Sequence, residues 1–181
     1  LADQANGSVL IRYGGTVVFA TAVMSKFKRE GIDYFPLTVE YEEKFYAAGQ
    51  ILGSRFIRRE GRPSDEAILV ARLIDRSIRP LFDQRARNEV QLTVMALSID
   101  GENDPDMPAL IAASLALGVS DVPWGGPVSA IRVAYPNFII NPTNQERENS
   151  DLDIVICGKN KKINMIEAGA KEVPEKIIND V

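Results

Sequence analysis

Two helix-forming stretches, near residues 64 to 79 and 107 to 122, divide the strand-like runs of this sequence into groups, and that order constrains the fold more than any other feature. Before the first helix, SVLIRYGGTVVFATAVMSK (8 to 26) has β-branched runs broken at Gly14-Gly15, a hairpin signal, and YFPLTVEYEE (34 to 43) alternates as a third strand. EVQLTVMALSID (89 to 100) is a strand lying between the helices. After the second helix, GPVSAIRVAY and NFIINP flank a turn at Pro136-Asn137, and SDLDIVICG and KINMIEAGA pair across the basic turn 159 to 162. A last helix starts near Val173, and NPTNQERENSD is expected to be a polar surface loop. Strands in groups, separated by two long helices, predict an α+β (mixed α/β) architecture: a mixed β-sheet packed with two main helices, with residues 1–181 as one domain.

The first helix has clear boundaries. Pro63 precedes it, Ser64 is placed to cap it, Asp65 and Glu66 suit the positive end of the helix dipole, and Pro80 ends it. At 100° per residue Ala67, Val70, Ala71, Ile74 and Ile78 share one face, while Arg72, Arg76 and Arg79 form a stripe on the other. The second helix, MPALIAASLALGVSDV, is apolar, with small residues suited to close packing.

With 45% apolar residues in 181, the chain has material for a real core. No apolar run approaches the roughly 20 residues that span a bilayer, and the first residues lack a signal-peptide layout, so a cytoplasmic protein with no membrane partner is expected. The single cysteine, Cys157, sits in a strand and is expected to be inert core. With no histidine, the chain cannot itself supply a Ser-His-Asp or Cys-His system or an imidazole zinc site. It opens at Leu1 without methionine and stops soon after a helix-like VPEKIINDV, the expectation being a piece of a longer protein.

The net charge of −4 hides an asymmetry. Residues 55 to 87 carry nine arginines against five acids, +4, on a remainder of −8. Four of those arginines, Arg55, Arg58, Arg59 and Arg62, crowd into GSRFIRREGRPSD, a Gly- and Arg-rich exposed loop. A guanidinium binds phosphate bidentately and stacks on bases, so a polyanion is the first partner to test. The plain alternative is a solvated turn whose arginines pair with Glu60, Asp65 and acids of neighbouring subunits. Likewise Arg72, Arg76 and Arg79 either bind that polyanion or form structural salt bridges, Asp75 and Arg79 being four apart.

FPLTVEYEEKFYAAGQILGSRFIRREGRPSDEAILVARLIDRSIRPLF, followed by NEVQL, NDPD, AASLALGVSDVPWGGPVSAIRV and NPT, closely resembles the first RNase PH-like core domain of the bacterial polynucleotide phosphorylase family, over nearly the whole chain. That resemblance implies a trimeric ring of chains, each with two RNase PH-like domains and KH and S1-type RNA-binding domains, sometimes with further RNA-degradation partners. Such an enzyme degrades single-stranded RNA from its 3′ end with inorganic phosphate and releases nucleoside diphosphates in mRNA degradation. In the family a channel loop with two aromatics and two arginines grips the RNA. Here that motif falls on Phe56, Ile57, Arg58 and Arg59, with Arg55 inserted before it and Arg62 just after. Ile57 replaces the second aromatic, and since stacking is worth roughly 1–3 kcal/mol per base, it is expected to grip less well.

The resemblance also implies where catalysis is absent. The family's second domain holds phosphate in a Ser-rich turn and uses an Asp-x5-Asp-x-Lys pattern for a magnesium ion and the leaving group. In this sequence the turn falls on NDPD, Asn103 to Asp106, whose carboxylates repel phosphate. Asp153 matches the second aspartate, but Arg147 and Val155 stand at the other two positions. No catalytic residue and no metal site is therefore expected in residues 1–181, and Mg2+ is assigned to the second domain. The acid pairs Asp104/Asp106 and Asp151/Asp153 are weak magnesium sites at best, and Asp104 is better placed to cap the turn into the second helix. A non-catalytic RNA-binding ring subunit of an exosome-like assembly is the alternative function.

Overall fold

The computed structural model describes residues 1–51 and 62–180. β1 (Gly7–Tyr13) and β2 (Thr16–Lys28) form the hairpin expected at Gly14-Gly15, with Gly14 at φ 59°, a backbone region that suits glycine. β3 (Leu37–Glu43) leads into a short 3-10 turn, Phe45–Ala48, which closes at Gly49 in the left-handed region. α1 (Asp65–Ile78) then carries the chain back, so β4 (Asn88–Ser98) lies parallel to β3 and antiparallel to β2. A parallel pair needs such a crossover, and α1 supplies it. The result is a mixed four-stranded sheet in the order β1-β2-β4-β3.

α2 (Asp106–Gly118) follows, and then β5 (Ser129–Tyr135), β6 (Ile139–Ile140), α3 (Asn144–Glu148), β7 (Leu152–Lys159), β8 (Lys162–Ala170) and α4 (Glu175–Asp180). The later strands make a second, wholly antiparallel sheet, β6-β5-β7-β8, whose β7–β8 turn puts Asn160 and Lys161 at positive φ. α2 packs against β1, β2 and β4 of the first sheet and β5 of the second. That position explains its composition: a helix contacted from two sides needs apolar residues all round, and Ala109, Leu110, Ala113, Ala116 and Leu117 are fully or almost fully buried. The approach to β1 is close enough that a Cβ on Gly7 would stand 2.1 Å from the Ala116 carbonyl oxygen. One continuous apolar cluster runs from Val18, Leu92 and Val94 through Ile74 and Leu110 to Val155, Cys157 and Met165. Each fully buried Leu or Ile in it contributes about 1.5–3 kcal/mol.

α1 begins as its sequence indicates, with the Ser64 hydroxyl accepting from the Ala67 N–H, and gives way after Ile78 to a 3-10 turn containing Pro80. Its buried face holds Ala67, Ile74 and Ile78 as expected, Val70 and Ala71 being partly buried, and extends to Leu73 and Ser77. Ser77 is tolerated there because its hydroxyl donates to the Leu73 carbonyl. Cys157 is fully buried, and burial raises its thiol pKa, so the side chain is held as an unreactive thiol. The segment expected as a polar loop, NPTNQERENSD, is instead interrupted by α3. Thr143 and Glu146 close a reciprocal capping box there, side chain to backbone in both directions.

Candidate functional site

The arginine loop joins the 3-10 turn ending at Ala48 to the capped start of α1. Arg55, Phe56, Ile57, Arg58 and Arg59 lie outside the described residues, and Arg62 is exposed at the loop's far end. The α1 stripe divides. Arg79 is a structural strut: it pairs with Asp75 at 2.6 Å and donates to the carbonyls of Phe35 and Leu37, tying the end of α1 to the start of β3. Arg76 reaches Glu167 of β8 at 3.0 Å in an exposed pair. Arg72, one turn before Arg76, stays exposed.

The residues of the expected empty catalytic position do come together, and around a side chain that the sequence pattern did not single out. Arg132 on β5 points into the interior with its neighbours two residues away, Ala130 and Ala134. Its guanidinium pairs with Asp106 at the start of α2, in a buried contact, and with Asp153 of β7 at 3.1 Å. Arg147, brought in by α3, pairs with Asp104 and, at 3.1 Å, with the same Asp153 oxygen. Asp104 also accepts from the Asp106 N–H at 3.1 Å, the turn-capping role expected of it. Five charged residues from the β4–α2 loop and four secondary-structure elements thus close on one another. An arginine at an inward position of a strand needs buried acids opposite, but the alternation of SAIRVAY, with Ile131 and Val133 on the other face, does not mark Arg132 as inward.

Electrostatics within the cluster are unequal. Burial and the like charge of Asp104 push the Asp106 carboxyl up to about 7, against the pull of Arg132. Burial works against the charge of Arg147, but Asp104, Asp153 and Asp106 outweigh it and raise its pKa above the ordinary value. Nearby, burial and the adjacent Glu43 carboxylate, to which its hydroxyl donates, hold the Tyr41 phenol well above the usual range. The arrangement is a lock, not a cradle. Asp104, Asp106 and Asp153 already pair with the Arg132 and Arg147 guanidinium groups, and three carboxylates gathered at one point disfavour an anion beside them. The residues present fit neither a magnesium ion nor inorganic phosphate.

The profile of the 3′ exoribonuclease family, domain 1, matches residues 1–123. This chain belongs to the 3′ exoribonuclease family. The profile of domain 2 of that family matches residues 126–181. Curated relatives include the polyribonucleotide nucleotidyltransferases of Geobacillus kaustophilus (strain HTA426), 53% identical over 98% of this chain, and of Roseiflexus sp. (strain RS-1), 55% identical over 98%. The chain spans 25% and 24% of those two proteins. Among solved structures, a chain of the Archaeoglobus fulgidus exosome with RNA bound to the active site matches at TM-score 0.74 and 19% identity, over 99% of this chain and 79% of that one. Rice (Oryza sativa) Rrp46 matches at TM-score 0.76 and 13% identity, over 98% of this chain and 81% of that one. At those identities the solved structures establish the RNase PH-like fold, which is the mixed α/β architecture expected from the order of the elements.

Proposed function

We propose that residues 1–181 form the non-catalytic first core domain of a polyribonucleotide nucleotidyltransferase, a phosphate-dependent 3′-to-5′ exoribonuclease, and that the domain guides single-stranded RNA rather than cleaving it. One observation carries the non-catalytic half of this reading: the acids of the vestigial site are spent on Arg132 and Arg147. Its RNA-guiding half rests on the loop residues Phe56, Ile57, Arg58 and Arg59, assisted by Arg55 and Arg62, whose charge contrasts with the acidic body. In this proposal the chain is a single domain of a longer protein, the phosphate and Mg2+ sites belong to the second core domain, and the enzyme is a cytoplasmic homotrimeric ring. The 53% identity to a polyribonucleotide nucleotidyltransferase supports it, as does the absence, among the described residues, of any helix long and apolar enough to cross a membrane.

The fold likeness to exosome core chains favours a second reading, a ring subunit of an exosome-like assembly with no enzyme in its own polypeptide. One assay separates the two. Incubated with phosphate, Mg2+ and poly(A), residues 1–181 alone are expected to release no nucleoside diphosphate, whereas the longer parent protein is expected to release it steadily. Release by residues 1–181 alone, from a preparation free of host enzyme, contradicts the non-catalytic assignment, and an inactive parent favours the exosome-like reading.

A further inference from the structure

The end of β2 departs from its sheet. Met24 pairs with Val90 and Lys28 with Asn88, so Ser25, Lys26 and Phe27 stand against Glu89 alone. A bulge of this kind re-aims side chains, and here it leaves Phe27 82% exposed between the exposed Lys26 and Lys28, with the exposed Arg29 next. The bulge is held in place by its own bonds. The Ser25 hydroxyl accepts from the Phe27 N–H at 3.2 Å and donates to the Phe27 carbonyl at 3.1 Å. The Asn88 amide donates to the Ser25 carbonyl at 3.0 Å, and the Arg29 N–H donates to the Arg87 carbonyl at 2.9 Å. Residues 25–29 contain three cations and no acid. Although Glu30, Asp33 and Glu89 stand near them in the chain or across the strand pair, none of Lys26, Lys28 and Arg29 makes an ion pair among the described residues. A single exposed apolar side chain is ordinary; one fixed by its backbone among three unpaired cations calls for a partner.

We propose that the bulge is a second contact for single-stranded RNA, Phe27 stacking on a base while Lys26, Lys28 and Arg29 meet phosphates. An aromatic ring with cations on both sides grips a single strand without regard to its sequence, and a backbone already fixed by hydrogen bonds loses little conformational entropy on binding. The proposal rests on the reading above that the protein handles single-stranded RNA, and it adds a contact at a separate place. The Ile99 N–H, just after β4, donates to the carbonyl of Ala47 in the turn that leads toward the arginine loop, whereas the bulge lies beside Asn88, at the other end of β4. At about 3.3 Å per residue the 11 residues of β4 set those two points roughly 35 Å apart. A strand held near both therefore engages them with different nucleotides.

The test uses the full-length parent protein and poly(U). Replacing Lys26 and Lys28 together by Ala is expected to flatten the slope of log K against log salt by about 1.4 units, at roughly −0.7 per phosphate, while Lys26→Arg with Lys28→Arg retains it. Phe27→Ala is expected to weaken binding about 5- to 140-fold with the slope nearly unchanged, and Phe27→Trp to keep the affinity. At saturating concentration, irradiated iodouridine-substituted poly(U) is expected to cross-link to Phe27 both in the parent and in a variant carrying Arg58→Ala and Arg59→Ala. An unchanged slope in the double-lysine variant, or cross-links that map only elsewhere, overturns the inference and leaves the arginine loop's role standing. A parent that does not bind poly(U) at all overturns the RNA reading itself, and this inference with it. If Phe27→Ala leaves RNA binding intact but changes the sedimentation of the parent, the bulge is a contact between chains and the inference is wrong.

Discussion

Replacing Arg132 by Met removes the cation at the centre of the cluster while leaving its acids in place. Asp106 is then buried at the N-terminus of α2 with no guanidinium, and Asp153 and Asp104 retain only Arg147. Removing one partner of a buried ion pair costs about 3–5 kcal/mol. In a chain of this size 1 kcal/mol moves the midpoint of thermal unfolding by about 2–4 °C, so Arg132→Met is expected to lower it by about 6–20 °C. The pH dependence is diagnostic. The folded-state pKa of Asp106 is raised, to about 7, above its ordinary 3.8, so the folded state binds the extra proton and its stability falls as pH rises from about 4 to about 7, then levels. Without Arg132 the carboxyl's pKa rises further, and the falling limb extends to higher pH. The deficit of the variant relative to the parent is therefore expected to grow between pH 6 and pH 9, by up to about 1.4 kcal/mol per unit. Adding Asp106→Asn to Arg132→Met removes the uncompensated charge and is expected to flatten that growth. Thermal and denaturant unfolding at several pH values measure all of this. A deficit below about 1 kcal/mol, or one that is the same at pH 6 and pH 9, refutes the reasoning.

Two other substitutions test the scaffold. Ser64→Ala removes the cap on the Ala67 N–H and is expected to cost about 1 kcal/mol in denaturant unfolding, with Ser64→Asp restoring it. Gly7→Ala places a methyl 2.1 Å from the Ala116 carbonyl oxygen and 2.8 Å from the Ser120 Cβ, so β1 and α2 have to separate; a loss of about 1–3 kcal/mol is expected, and a neutral effect contradicts the close packing described above.

What could be read from the sequence divides along physical lines. The β1–β2 hairpin, α1 with its Ser64 cap and the β7–β8 pair were legible because local chemistry decides them: glycine in a turn, a hydroxyl before a helix, β-branched alternation. α3 was missed because all five of its residues are polar or charged and give no apolar stripe, although Thr143 and Glu146 spelled out its capping box. Arg132 was missed for a related reason. In SAIRVAY an arginine in a strand resembles a solvated side chain until its face is known, and the face depends on which way the alternation is set by α2. Reading Asp104 as a turn cap captured one of its oxygens; its other oxygen and the Asp106 carboxylate answer to Arg147 and Arg132, which are distant in sequence.

The account's central claim is that the arginine loop threads RNA past a domain that performs no chemistry. The most direct measurement is single-stranded RNA affinity against salt for the parent protein with its other RNA-binding domains removed. Neutralising three phosphates through Arg55, Arg58 and Arg59 predicts a slope of about −2 in log K against log salt. Replacing Arg58 and Arg59 together by Ala is expected to flatten that slope by about 1.4 units. Phe56→Ala is expected to weaken binding by roughly 1–3 kcal/mol and leave the slope nearly unchanged. A slope that stays the same in the double-arginine variant contradicts the claim and makes the loop a solvated surface turn.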